Sequence, residues 1–437
     1  MRLYAKAARS EITGLVLEHA TVGLEVDSAE LTVKDSVFRA TKELAVRVTD
    51  DVVLAGFAGN TFDQVGAVAM SVPPAALVGI GANTFGADTA IEVRAGNATA
   101  SGTWAYPGAP LRVSGEVYLD GKNGKMTVEV AAGNRLRFDS GGALLVGYTG
   151  DAELKVTGTK DAPVTFGSAG DQQPGAWERG VTSYSKGTIT VDHALFAHGG
   201  RDDAGALRAE GGRLAVTNTR FTDNKVGLSL DDASELRGFD SNQLGGNQVA
   251  ALLVFPRHLG ALGAASTYAA TQKIGVRGGR VDKTATWALQ AGAEVVVDGE
   301  INVEGGATLT VPAGASYRFT EAGALYVGYA SPGTLLVQGT AAQPVTMAGV
   351  RDGAGAWKGI ELYAQAVASV VEHLVVKGAG GGAGVRASSG AVLKVDGLTC
   401  GACEAAALTW DCASKVTQTG VKAEGGTPKG AVAPDGC

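Results

Sequence analysis

The string GALLVGY at residues 142–148 returns as GALYVGY at 323–329, 181 positions later. The echo is not confined to seven letters. Residues 128–166 align without a gap to 309–347, and roughly half of the positions are identical. The match then continues through small insertions. GAWERGVTSYSK (175–186) meets GAWKGIELYAQ (355–365), and VDHALF (191–196) meets VEHLVV (371–376). The earlier chain keeps the same register: AELTVKDSVF (29–38) matches GRLAVTNTRF (212–221), and GTWAYPGAPLRVSGEVYL (102–119) matches ATWALQAGAEVVVDGEINV (285–303). A long internal period is the signature of an array in which each copy buries its apolar face against the next. The copies divide residues 1–437 into a partial unit (1–127), a full unit (128–308) and a second partial unit (309–437).

A shorter period lies inside the long one. Phe38, Phe62 and Phe85 are spaced 24 and 23 residues apart, and their counterparts Phe221, Leu244 and Tyr268 are spaced 23 and 24. Short runs of alternating apolar residues follow each of them, such as Val46/Val48 and Leu228/Leu230. Alternation places every second side chain on one face, which is the strand pattern. Gly, Asn and Asp punctuate the runs as turn residues. No stretch of helix length carries a 3.6-residue apolar period. The reading is all-β: one continuous parallel β-solenoid with coils of 22–24 residues. At about 23 residues per coil the chain makes roughly 18–19 coils, a rod on the order of 85–90 Å long if strands stack about 4.8 Å apart.

Composition excludes several classes. The 65 glycines follow no Gly-X-Y period, so collagen is ruled out. With 45% hydrophobic residues, 19% charged and only 12 prolines, the chain can build a large core. The net charge of −7 without a basic run offers no electrostatic reason to bind nucleic acid or anionic lipid. No run of 18 apolar residues exists, so no membrane-spanning helix is expected.

The string TLTVPAG, YRF, GALYVGY, GTLLVQGTAAQPVTM, WKGI resembles a repeat found in bacterial surface and secreted right-handed parallel β-helix proteins of the pectate-lyase-like superfamily. The pattern covers 128–181 and 309–360. The resemblance implies a single-stranded right-handed β-helix, and the handedness rests on it alone. Its superfamily includes polysaccharide lyases, phage tailspikes and adhesins. MRLYAKAA (1–8) aligns with IELYAQAV (360–367), so the sequence starts in mid-coil. That start leads us to expect a fragment whose signal or anchor lies upstream, and a protein of the cell exterior or surface.

Candidate sites follow from stacking. Residues one coil apart sit above one another, so a spacing of 23 groups Arg179, Asp202 and Lys225, and likewise Arg208 and Asp231. Arg179, Asp202, Asp203 and Asp231 are the candidate catalytic set: paired carboxylates beside arginine suit acid–base work or Ca²⁺ binding. Charges alternating on a solvated face are also the default of any soluble rod. His193 and His373 occupy equivalent places too far apart to share a metal, which favours a structural role. Tyr4, Tyr184 and Tyr363 recur at one repeat position and are candidates for stacking on sugars; packing beside a turn is the alternative. Cys400, Cys403, Cys412 and Cys437 all lie in the last 38 residues. Two disulfides are expected, with three connectivities open; a zinc site, which would lack a second closely spaced ligand pair, and free thiols are the alternatives.

These features favour a non-enzymatic extracellular rod serving as adhesin, structural element or spacer, without cofactor, whose partners are glycans, surface proteins or further copies of itself. The alternative is a polysaccharide lyase, hydrolase or carbohydrate-binding β-helix that uses the charged face around 179–232.

Overall fold

The computed structural model describes residues 1–4, 9–27, 30–50, 52–122 and 124–433. The chain is all-β and its strands pair in parallel, stacking as a β-solenoid of about 18 turns. Two compact units divide it: Met1–Gly238 with Asn242–Val249, and Phe239–Ser241 with Ala250–Cys437.

From residue 111 onward the coils of the first unit have three faces. Face one stacks Leu111–Val113, Arg135–Phe138, Val164–Ser168, Ala194–Ala197, Arg220–Thr222 and Gln243–Gly245. Face two stacks Glu116–Leu119, Ala143–Val146, Val181–Tyr184, Leu207–Glu210 and Val226–Leu230. Face three stacks Met126–Ala131, Ala152–Thr157, Gly187–Asp192 and Arg213–Thr217. Alternation decides what each strand buries: in Met126–Ala131, Met126, Val128 and Val130 point inward and the residues between them do not. In the second unit the corresponding faces run through Ser316–Phe319, Ala324–Val327 and Gly333–Gln338.

The core is a set of stacked ladders. Phe166, Phe196 and Phe221 lie ring on ring at 4.5 and 5.2 Å, and Phe38, Phe62 and Phe85 repeat the stack at 5.2 and 4.5 Å. Thus the aromatic spacing of the sequence is the axial stacking of the fold. The corner from face three to face one turns on a single residue in the left-handed region, His193 or Asn218 in the first unit and His373 in the second. Histidine and asparagine tolerate that region better than most residues. The corner from face one to face two is held by an amide ladder: buried Asn224 Nδ2 donates to Asn247 Oδ1 at 3.0 Å and to the Phe196 carbonyl at 3.0 Å. Each such bond satisfies a polar group that would otherwise be orphaned inside the stack.

Two features depart from the sequence expectations. Stacked partners are 20 residues apart at Ile91 and Leu111 but 37 apart at Leu144 and Val181. A loop over 169–180 leaves the stack between faces one and two, and loops of any length are tolerated there because stacking contacts involve only the strands. The second departure is helical. Pro74–Gly79 and Pro256–Ala261 form short 3₁₀ turns at matching places in the repeat. At the first of them the strand columns ending in Val53–Ala58 and Thr84–Phe85 stop, and columns starting at Gly96–Ala98 and Gly102–Trp104 begin. The column through Val68–Val72 and Ala90–Val93 runs on. Among the described residues no helix is long and apolar enough to cross a membrane.

Candidate functional site

GALLVGY supplies the strand Ala143–Val146, then Gly147 at φ +72°. A Cβ on Gly147 would overlap the backbone nitrogen of Gly187, so only glycine fits that corner. The corner throws the next side chain outward, and Tyr148 is 56% exposed. GALYVGY does the same through Gly328, leaving Tyr329 63% exposed.

Neither ring stands alone. Tyr148 lies between Tyr118 at 5.9 Å and Tyr184 at 5.0 Å, the latter edge to face. In the second unit Tyr363 takes the middle place, 4.9 Å from Tyr329 and 5.8 Å from Tyr326, both edge to face. Tyr184 and Tyr363 are equivalent, as are Tyr148 and Tyr329. The third ring is not: Tyr118 is stacked on Leu145, the equivalent of Tyr326, one coil away.

A cation spans two coils beside each cluster. Arg179 Nη2 meets Glu116 Oε1 in the first unit. Lys358 Nζ meets Glu300 Oε1 at 2.6 Å in the second. Further hydrogen bonds orient the rings. Tyr118 donates its hydroxyl to Glu116, and Tyr363 donates to Glu361 Oε2 at 3.0 Å. Arg208 Nε donates to Thr182 Oγ1 at 2.8 Å, and the matching Arg386 lies 3.6 Å from Glu361. The bond to Glu116 and partial burial push the Tyr118 hydroxyl up to about 12. Burial, then the Glu361 carboxylate, raises Tyr363; burial with Glu210 or Glu300 nearby raises Tyr184 and Tyr326. All four hydroxyls therefore stay protonated donors through neutral pH. The second cluster opens into a cleft of about 420 Å³ floored by Tyr326 and Tyr363, with Arg280, Asn302 and Glu304 on its walls.

The chemistry of these patches is that of a binding surface. An exposed ring offers an apolar face, while carboxylates, arginine and phenols offer both donors and acceptors around it. Opposite charges sit in pairs, so neither patch carries a strong net charge.

Of the charged residues grouped by their 23-residue spacing, the structure brings together Asp202 and Lys225 but not the others. Arg179 is drawn to Glu116, away from Asp202. Asp202 does meet Lys225, at 2.9 Å. Asp203 meets Arg201 at 2.9 Å. Asp231 bonds to Ser234 and accepts from the Gly211 amide at 2.9 Å. Arg208 stacks on Ser229, not Asp231. The reason is uneven coil length: Leu207 stacks on Val181 after 26 residues and Leu228 on Leu207 after only 21, so no fixed 23-residue spacing holds on this face. Among the described residues no group of three or more His, Cys, Asp and Glu could hold a metal ion. Tyr4 is 57% exposed beneath the guanidinium of Arg2 and shares no ring contact with another aromatic among the described residues. Of the tyrosines singled out in sequence, Tyr184 and Tyr363 lie in the patches. Tyr148 and Tyr329 were missed although they end the most visible repeat. Outward alternation beyond Gly147 and Gly328 was the signal for them. Cys400 and Cys403 form a disulfide with Cα atoms 6.0 Å apart. Cys412 is also disulfide-bonded, and Cys437 lies outside the described residues.

Residues 279–392 match the family of the pectate-lyase like beta helix domain. That stretch contains every residue of the second patch, from Glu300 to Arg386. No curated protein matches the chain, and no solved structure does. The resemblance read from the repeat therefore holds for the fold. A pectate-lyase-like β-helix suggests a carbohydrate-related or structural role.

Proposed function

We propose that the protein is a non-catalytic β-solenoid of the cell exterior, an adhesin or surface scaffold that holds neutral glycan chains on its two tyrosine patches. One observation carries this reading. A cluster of three tyrosine rings, one of them exposed, beside a cation–carboxylate bridge is built twice, and its third ring comes from a different coil each time. A pyranose has an apolar C–H face and a rim of hydroxyls, which matches a tyrosine face bordered by paired charges. Balanced charge favours neutral over acidic sugars. Binding without turnover is supported by the dispersal of Asp202, Asp203 and Asp231 into separate pairs. An oxidising compartment is supported by the disulfides at Cys400, Cys403 and Cys412.

A glycan array probed with the full chain tests the binding, and incubation of the bound oligosaccharides with and without Ca²⁺ tests the absence of turnover. The expected result is capture of neutral glycans, lost in a Tyr148→Ala, Tyr329→Ala double variant, with no cleavage. Capture that survives the double substitution removes the patches from the account. Cleavage products would replace a scaffold with an enzyme.

A further inference from the structure

Face one of the second unit carries a charged row that its counterpart in the first unit lacks. Outward side chains at one register position run across five successive coils as Arg318, Ala348, Lys377, Gly401 and Glu424. Beside it runs a second outward row, Ser316, Thr346, Val375, Thr399 and Lys422. Long charged residues thus alternate with small ones, and the small ones leave slots. The result is a cleft of about 560 Å³, walled by Asp352 and by Arg351, which Glu321 holds at 2.9 Å.

Of the other charges of the cleft, Arg318 makes one hydrogen bond and the rest make none from their side chains among the described residues. Arg318 Nη2 donates to the Val350 carbonyl at 2.9 Å, and its buried Nε has no hydrogen-bond partner, so a ligand meets the outer end of the guanidinium. Lys377, Asp352 and Glu424 make no ion pair or side-chain hydrogen bond among the described residues. The first unit provides an internal control. There the same row reads Arg137, Gly167, Ala197, Thr222 and Gly245, with a single charge. Scaffold geometry therefore does not demand Lys377 or Glu424.

We propose that this cleft docks an extended peptide segment that places acidic side chains on Arg318 and Lys377 and a basic side chain on Glu424. Spacing fits such a chain. Coils about 4.8 Å apart put Arg318 and Lys377, and likewise Lys377 and Glu424, roughly 10 Å apart, and an extended peptide covers that distance in about three residues. Acidic residues at the first and fourth positions and a basic residue at the seventh meet the row in turn. The hydroxyls of Ser316 and Thr346 line the track for the peptide's main-chain groups. A chain of anions alone would meet Asp352 and Glu424 and be repelled, which disfavours an acidic polysaccharide. The site lies on another face from the tyrosines and does not depend on glycan binding.

The test is fluorescence anisotropy with the full chain and a labelled seven-residue peptide bearing glutamate at positions one and four, lysine at seven and serine between. The control peptide has every charge reversed, and hexagalacturonate serves as competitor. The parent peptide is expected to bind about tenfold more tightly than the reversed one, with affinity falling as salt rises. Lys377→Glu is expected to weaken it about tenfold. The double exchange Lys377→Glu with Glu424→Lys should move the preference to a peptide with lysine at four and glutamate at seven. Unchanged thermal melts of these surface variants confirm that they fold, and the salt titration of the unaltered chain reads the same charges without any substitution. Equal binding of the parent and reversed peptides, binding of neither, or capture of hexagalacturonate in preference to the peptide overturns the proposal.

Discussion

The two copies of the repeat put three tyrosines and a bridging cation in the same place but assemble them differently. In the first, the outward row of face two reads Tyr118, Leu145, Thr182, Arg208. In the second it reads Asn302, Tyr326, Glu361, Arg386. The third ring has moved by one coil, and arginine has become lysine in the bridge to glutamate. A solenoid makes such exchange simple, because neighbouring coils present the same register position one strand spacing apart. The ring cluster is therefore a property of the face rather than of one residue list. The copies differ in the opposite sense at the loops. Where the first unit pairs Asp202 with Lys225, the second has the glycine-rich stretch 378–382, and a cleft of about 400 Å³ opens over Trp357 and Glu404.

The largest effect is expected from the scaffold that both copies share. Trp177 is fully buried, stacks on Phe138 at 4.6 Å and donates its indole N–H to the Ala197 carbonyl at 2.8 Å. Trp357 repeats this with Phe319 at 4.3 Å and the Lys377 carbonyl at 2.9 Å. Trp177→Ala and Trp357→Ala should each cost about 3–5 kcal/mol. Hydrogen exchange should place the loss in the unit that carries the substitution. A loss in one copy only would mean that the two indoles are not equivalent.

The rings come next. Tyr148→Ala or Tyr329→Ala should cost its own patch about 2 kcal/mol of glycan affinity, roughly thirtyfold, and leave the other patch untouched. Calorimetry separates the two sites. A smaller change is expected from Arg179→Lys, which gives the first bridge the chemistry of the second. Both bridges are half-exposed, so affinity and stability should move by no more than about 0.5 kcal/mol. A larger effect would show that the guanidinium contacts the ligand itself.

The smallest effect is on titration. Tyr118 ionises near 12 against an ordinary value of 10.0, so its bond to Glu116 stabilises the fold below pH 10.0 and that contribution is lost as pH rises through about 12. Glu116→Gln should bring one tyrosine back towards 10.0 in an absorbance titration of tyrosinate. The second copy has no Tyr118, and the matching Glu300→Gln should act on Tyr326 instead, whose hydroxyl is raised first by burial and then by Glu300. A smaller shift is expected there.

Much of the fold was legible because strands write themselves as alternation and stacking writes itself as recurrence. Phe38, Phe62 and Phe85 are the clearest case: their spacing in sequence is a ring stack in space. The site was only partly legible. Tyr184 and Tyr363 could be found by comparing copies, but Tyr118 and Tyr326 have no tyrosine at the matching position, so repeat alignment hides them. The Arg179–Glu116 bridge joins residues two coils apart across a long loop, and no fixed period reaches it. The charged row through Lys377 escaped for the same reason: it is a difference between copies, set by stacking registers that only the fold defines.

On the proposed function, one chain carries two independent glycan patches. Calorimetric titration with the neutral oligosaccharide captured best on the array, on the parent chain and on the Tyr148→Ala and Tyr329→Ala variants, tests it most directly. Two sites per parent chain and one in either variant are expected, with the remaining site at its original affinity. A stoichiometry that stays at the parent value in both variants would contradict it.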